Sequence, residues 1–240
     1  MFQFKLIFRT ENNTLPKEMD RLFVSFLKAA AQNYSQRFFD QLYDKSKSIM
    51  KEYAYSCYLP GAKFLTDKVL LNQNGFTLFF SDANLGESIQ FFNAFKSMKF
   101  KQYLMNHNSM QLVSVTMQKK QEIVDSEVII KMQSSLIVRR HNSEDNSDVY
   151  FTFDHKEFGQ ALKENVDFFL SKCEVPITTE GFSITPIKAK KIVTPVFGRN
   201  TDANIGVYKL TGSPELLNFL YLSGIGVRRG EGHGKFEVIL

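Results

Sequence analysis

The stretch FQFKLIFRTENNTLPKEMDRLFVSFLKAA, residues 2–30, changes its hydrophobic period once, and that change decides the fold. Phe2, Phe4, Leu6 and Phe8 alternate with Gln3, Lys5, Ile7 and Arg9, which predicts a strand with one apolar face. Beyond Asn12-Asn13-Thr14-Leu15-Pro16, the apolar positions become Met19, Leu22, Phe23, Phe26, Leu27 and Ala30. That spacing follows the i, i+3, i+4 rule of an amphipathic helix. Further along, Ser35 is placed to cap a second short helix that buries Phe38, Phe39 and Leu42. Residues 52–59 and 75–80 read as aromatic strands bounded by Pro60-Gly61 and Asn74-Gly75. Leu85, Ile89, Phe92, Phe95 and Met98 mark another helix, and residues 111–117 a closing strand. The order is strand–helix–strand–strand–helix–strand.

After a polar stretch over residues 117–127, suited to a short linker or a strand extension, the order begins again. Residues 128–139 are expected to form one strand, paired with 149–153 across the polar loop 141–148. Asp154 and Glu157 have capping-box spacing and open a helix carrying Phe158, Leu162, Val166, Phe169 and Leu170. Residues 181–196 and 205–210 are the next strands. Ser213-Pro214 starts a helix with Leu216, Leu217, Phe219 and Leu220 inward, and residues 235–240 close the chain. Two halves of the same order predict an α+β protein of two tandem ferredoxin-like (RRM-like) domains, over residues 1–120 and 121–240, with helices on one face of each antiparallel sheet.

The composition narrows the class. The 240 residues are 43% hydrophobic and 23% charged, the balance of a folded chain, with 24 Phe and 9 Tyr but no Trp. No apolar run reaches the roughly 18–20 residues of a membrane span, so no membrane partner is expected. The N-terminus lacks the apolar core and cleavage site of a signal peptide. Cys57 and Cys173 are too few for a disulfide framework and too far apart for a zinc pair, which points to a reducing, cytoplasmic setting. A net charge of +5 allows a polyanionic partner.

The segment Ser223-Gly224-Ile225-Gly226-Val227-Arg228-Arg229-Gly230-Glu231-Gly232-His233-Gly234 holds five glycines and two arginines. Glycines without a Cβ let backbone N–H groups approach a phosphate closely. Such a segment is as often a plain flexible connection. It is not a dinucleotide fingerprint, because Arg229 stands at the third glycine position and the loop follows a helix. No Gly-Lys-Ser/Thr of a phosphate-binding loop is present either. Two Gly-hydrophobic-Gly triplets, 224–226 and 232–234, separated by five residues just before the last strand, resemble the C-terminal loop of one family. These are the CRISPR-associated endoribonucleases that cut precursor CRISPR RNA within its repeats, the sixth family of Cas proteins in the repeat-associated superfamily. His233 stands where an aromatic or aliphatic residue is usual, and Ser135, in Gln133-Ser134-Ser135-Leu136-Ile137-Val138, where proline is common. Residues 213–221 resemble the family's final helix, and 76–81 one of its strands.

The resemblance implies two ferredoxin-like domains holding repeat RNA in a basic cleft. It also implies metal-independent attack of a ribose 2′-OH on the adjacent phosphate, with no cofactor. The family's Leu-His pair falls on Leu42-Tyr43, and residues 1–100 contain no histidine. Tyr43 is therefore the catalytic candidate, with Lys28, Lys47 and Lys51 as phosphorane-stabilising ammonium groups that also favour a phenolate. Lys45 follows in the same run. The bland alternative makes Tyr43 part of an aromatic cluster and the lysines a solvated face. His107, His141, His155 and His233 lie outside the usual position, though His141, beside Arg139-Arg140, has the placement of an RNA contact. Nothing has the spacing of a metal site. The RNA-binding set is Gly224, Gly226, Arg228, Arg229, Gly230, Gly232, Gly234, Lys188, Lys190, Lys191, Arg139 and Arg140.

The reading is a cytoplasmic endoribonuclease acting on precursor CRISPR RNA. The alternatives are a binding module of the same fold that holds repeat or guide RNA uncut, and a regulatory protein taking a small anion at the glycine loop. The sequence leaves open whether the protein stays in a CRISPR effector complex, and whether it is a monomer or a homodimer.

Overall fold

The N-terminal alternation becomes β1 (Phe2–Thr10), with Phe4, Leu6 and Phe8 buried. The structure, a computed structural model, describes residues 1–44, 46–105 and 107–239. After β1 come β2 (Thr14–Pro16), α1 (Met19–Tyr34), α2 (Gln36–Tyr43), β3 (Tyr53–Tyr58), β4 (Lys63–Phe64) and β5 (Lys68–Leu70). The N-terminal half ends with β6 (Gly75–Asp82), α3 (Leu85–Met98), β7 (Gln102–Met105) and β8 (Asn108–Lys119). Its main sheet runs β3-β6-β1-β8-β7, every pair antiparallel. Phenylalanines weld the helices to that sheet: Phe8 lies 4.8 Å from Phe76 and meets Phe26 edge-on at 5.1 Å, and Phe80 lies 4.7 Å from Phe91. Strands β2, β4, β5 and β7, none longer than 4 residues, go beyond the sequence reading because they are too short to show a period.

The C-terminal half repeats the order. It contains β9 (Glu127–Met132), β10 (Val138–Asn142), β11 (Ser147–Phe151), α4 (Phe158–Lys172), β12 (Ser183–Val196), β13 (Arg199–Thr211), α5 (Pro214–Ser223) and β14 (Phe236–Val238). Its sheet runs β12-β13-β9-β14, again antiparallel, so in both halves the first strand lies between the third and fourth. This is the ferredoxin-like arrangement that the repeated pattern predicts. Ser213 caps α5 by accepting from the Leu216 amide at 3.2 Å.

Three local expectations are corrected. Residues 128–139 are two strands, because the Gln133 and Ser134 amides both turn to the Lys235 carbonyl, at 2.8 and 3.1 Å. The Ser134 hydroxyl then accepts from the Lys235 amide at 3.0 Å, and β10 leaves to pair with β11. Asp154 does not cap α4; it accepts from the Thr152 hydroxyl, and the helix starts at Phe158. Strand β13 begins six residues before 205, since the buried Asn204 side chain is satisfied by the Phe153 amide at 2.8 Å and the Phe151 carbonyl at 3.1 Å.

The halves meet at the glycine-rich loop, which crosses from α5 to lie on β3. Gly232 has φ +92°, and a Cβ there would fall 2.7 Å from the Tyr55 ring. Gly234, at φ +73°, would drive a Cβ into the Ile225 carbonyl. The Cβ positions of Gly224 and Gly230 face Ala54 and Lys51 of the other half, and that of Gly226 faces the Ile137 carbonyl. The amides of Gly224, Gly232 and Gly234 go to the carbonyls of Leu220, Arg229 and Ser135, at 2.7, 3.1 and 2.8 Å. On the side where a Cβ would stand, protein packs against these glycines, and three of their five amides are already bonded to carbonyls. Ser135 and His233, the two departures from the family pattern, are each other's partners, Oγ to Nδ1 at 2.7 Å. A second tie is the Lys235 ammonium, fully buried and 2.6 Å from the Ser81 hydroxyl, which in turn donates to the Leu222 carbonyl at 2.6 Å.

Burial pushes the His233 imidazole down to about 4, with Asp20 opposing. Below about 6.5 the unfolded chain takes up a proton that the folded one refuses until about pH 4, so stability falls as pH drops through that window. The loss is at most about 3 kcal/mol. Denaturant melts of the parent and His233→Leu at pH 7 and pH 4.5 should show a clearly larger acid loss in the parent; equal losses would mean that the imidazole is not held neutral.

Candidate functional site: an interdomain cleft

Ser35 caps α2 by accepting from the Phe38 amide at 3.3 Å, and the helix delivers Tyr43 at its last residue. The phenol is half-buried against Phe39, and its oxygen lies 2.9 Å from the Tyr53 hydroxyl. Two ammonium groups sit over its ring, Lys51 at 4.9 Å and Lys28, from α1, at 5.3 Å from the centroid. The Lys51 ammonium also donates to the carbonyls of Leu42 and Ile49. Burial pushes the Tyr43 phenol up to about 12, although the Tyr53 hydrogen bond pulls the other way. The expected phenolate is thereby corrected: loss of water, with the Glu87 and Asp82 carboxylates adding to it, outweighs the Tyr53 hydrogen bond. Burial also draws the Lys51 ammonium down to about 8, with Glu87 opposing and Lys28 assisting. Lys47 is exposed, 3.9 Å from Asp44, in a shallower pocket beside Tyr43. Lys45 lies outside the described residues.

Facing this cluster across a cleft of about 730 Å³ stand Arg139, Arg140 and His141 of β10, Phe168 of α4, and Arg228 and Gly230 of the glycine-rich loop. Most of these charges already have partners. Arg139 bonds Asp148 at 2.9 Å, Arg140 grips Glu164 through two nitrogens at 2.9 and 3.0 Å, and Arg228 meets Glu231 at 3.1 Å. Arg229 is a correction. Its guanidinium is buried, stacked 3.4 Å from the Phe169 ring centre and bonded to the Gly226 carbonyl, and burial lowers it to about 10. It supports the loop from inside.

The cleft brings together Tyr43, Lys28, Lys51, Arg139, Arg140 and Arg228. It does not gather Lys188, Lys190 and Lys191, which stay on exposed β12, Lys191 paired with Asp202 at 3.0 Å. Tyr53 and Tyr55 lie in the core. Sequence reasoning missed Phe168, which is 57% exposed and lines the cleft. Its signal was available, since it falls off the buried stripe of Phe158, Leu162, Val166 and Phe169. Ile49, Met50, Phe197 and Val227 add apolar lining. Among the described residues no three His, Cys, Asp or Glu side chains converge as metal ligands would, and no helix is long and apolar enough to cross a membrane.

No curated protein matches the chain by sequence. Solved structures match it over nearly their whole length. A protein described as a Cas6-related gene product from Pyrococcus furiosus aligns with a TM-score of 0.86 and 16% identity, over 99% of this chain and 98% of that one. A RAMP protein described as binding different RNA substrates aligns with a TM-score of 0.83 and 18% identity over 100% of both. A Cas6 product complex follows with a TM-score of 0.73 and 12% identity over 99% of both. At these identities the likeness is one of fold. The family model described as "CRISPR associated protein Cas6, C-terminal" matches residues 117–238, more than half the chain. The loop, the repeated ferredoxin-like order and that match lead to one conclusion: this chain belongs to the Cas6 family of CRISPR-associated proteins.

Proposed function

We infer that the chain binds the repeat RNA of precursor CRISPR transcripts and cuts it within the repeat without a metal ion, leaving a 2′,3′-cyclic phosphate. The observation that carries this reading is the shared cleft, where Tyr43, Lys28 and Lys51 of one half face Arg139, Arg140 and Arg228 of the other. A dianionic phosphorane needs cationic and hydrogen-bonding partners that are already in place. The two ammonium groups over Tyr43 supply charge, with Lys47 beside them. The phenol, kept protonated by burial, donates to a phosphate oxygen while accepting from Tyr53. Lys51, drawn down towards neutrality, is suited to protonate the leaving 5′-oxygen. The arginines hold the flanking phosphates, Lys188, Lys190 and Lys191 extend that contact along β12, and Phe168 offers a face on which an unpaired base stacks. Residues 1–120 and 121–240 act as the two jaws, and the setting is cytoplasmic.

A second reading, a binder that does not cut, is favoured by one observation: residues 1–100 hold no histidine. Incubation with repeat RNA in EDTA separates the two. The expected products carry 5′-hydroxyl and 2′,3′-cyclic phosphate ends, whereas tight binding with intact RNA selects the binder.

Tyr43→Phe keeps the ring and deletes the hydroxyl, so single-turnover cleavage should fall by about 10²-fold or more with affinity unchanged. Parental cleavage by this variant would reduce Tyr43 to packing. Arg228→Ala should flatten the salt dependence of RNA affinity by about one unit. Arg229→Ala should leave that slope alone and lower the denaturation midpoint instead, because its guanidinium faces Phe169. The reverse outcome would place Arg229 on the RNA.

A further inference from the structure

Among the described residues, those of the N-terminal half that line the cleft offer hydrogen-bond donors and positive charge through Tyr43, Lys28 and Lys51, but no carboxylate or imidazole. Tyr43 stays protonated, and Lys51, at about 8, is mainly charged at pH 7. Among the described residues, the one histidine lining the cleft is His141. It stands on β10 directly across from Asp148 of β11, with Nδ1 2.8 Å from Asp148 Oδ1. A carboxylate only accepts, so Nδ1 carries a hydrogen, and in the neutral form of the ring Nε2 is the acceptor turned away from Asp148. The other oxygen of Asp148 is braced by Arg139 at 2.9 Å and the Tyr150 hydroxyl at 3.4 Å. Burial pushes the Asp148 carboxyl up, but the His141 and Arg139 hydrogen bonds outweigh it and hold it below the usual range. The imidazole is 43% exposed, within reach of a ligand in the cleft. The charged groups around it are Asp148 and Asp145 of the hairpin, Arg139 and Arg140 of its own strand, Glu164 of α4, and Arg228 and Glu231 of the loop.

We propose that His141, oriented by Asp148, is a catalytic residue of the RNA cleavage, acting as the proton acceptor that the described N-terminal lining of the cleft does not supply. The assignment rests on the ribonuclease reading above. In the step, the ribose 2′-oxygen bonds to phosphorus as the bond from phosphorus to the 5′-oxygen breaks. The 2′-hydroxyl proton passes to Nε2 of His141, and Lys51 gives a proton to the departing 5′-oxygen. No water is consumed; exchange with solvent resets both side chains. Asp148 is a positioning residue, acting through the imidazole.

The test uses the full chain and a transcript of its own CRISPR repeat, with a copy carrying 2′-deoxyribose at the cut for affinity alone. His141→Gln keeps a polar side chain of similar size but cannot titrate. Its single-turnover rate should fall by about 10²–10⁴-fold, with Kd within about threefold of the parent. The acid limb of the parental pH–rate profile should vanish in this variant. Asp148→Asn should lower the single-turnover rate while Kd stays within about threefold of the parent, because the imidazole loses the carboxylate that orients it. Parental cleavage by His141→Gln, or a rate loss matched by the loss of affinity, overturns the proposal and leaves the ribonuclease reading standing. A parent that binds the repeat and leaves it whole overturns both.

Discussion

The loop lies against the Tyr55 ring because position 232 has no Cβ, and the cleft depends on that contact. The same loop carries Arg228 into the cleft wall and leads into Lys235, whose buried ammonium donates to Ser81 of the other half, and Ser81 in turn donates to Leu222 of α5. A lysine so deeply buried is tolerated only where its surroundings are fixed, and burial draws it down to about 7. Seating the loop therefore positions one wall of the cleft relative to the other. The Ser135–His233 pair strengthens the seat with a polar contact where the family pattern has apolar residues.

The cleft's positive charge is largely held in reserve. Arg139, Arg140 and Arg228 each have a carboxylate partner, and all of these pairs are partly exposed. Such pairs contribute only about 0–1 kcal/mol each, so each guanidinium leaves its carboxylate at small cost. Until then the carboxylates fix where each guanidinium sits in the cleft. Asp148 serves Arg139 and His141 at once, which ties the placement of a cation to that of an imidazole.

Most of the fold was legible because both halves announce themselves through period changes over long elements such as β1, α1 and α4. What escaped was short or polar. Strand β4 has two residues and no period, and the start of β13, Arg199-Asn200-Thr201-Asp202, reads as loop until Asn204 is seen buried with its side chain satisfied. The cleft was half legible. Tyr43, Lys51, Arg139 and Arg140 could be found from position, but the direction of Arg229 could not. Adjacent arginines on a turn point apart, and only the Phe169 ring shows which one goes inside. The glycines drew attention for the right reason, close approach, yet what approaches is protein: the other half at Gly224, Gly230 and Gly232, and the loop's own half at Gly226 and Gly234.

The strand order has a kinetic consequence. In each half the first strand pairs with the last: Phe2 faces Lys119, and Met132 faces Phe236. Closing a chain loop of about a hundred residues costs roughly 2 kcal/mol more entropy than closing one of fifteen. Sheets built on such distant pairings belong to the slow class of folding domains, milliseconds to seconds rather than microseconds. The loop that completes the cleft lies just before β14, so its seat on Tyr55, like the bond from the Phe197 amide to Asp20, joins cleft walls that are far apart in the chain. A substitution that slows β14 docking would thus delay assembly of the cleft while leaving the aromatic core around Phe8 and Phe80 to form on its own schedule.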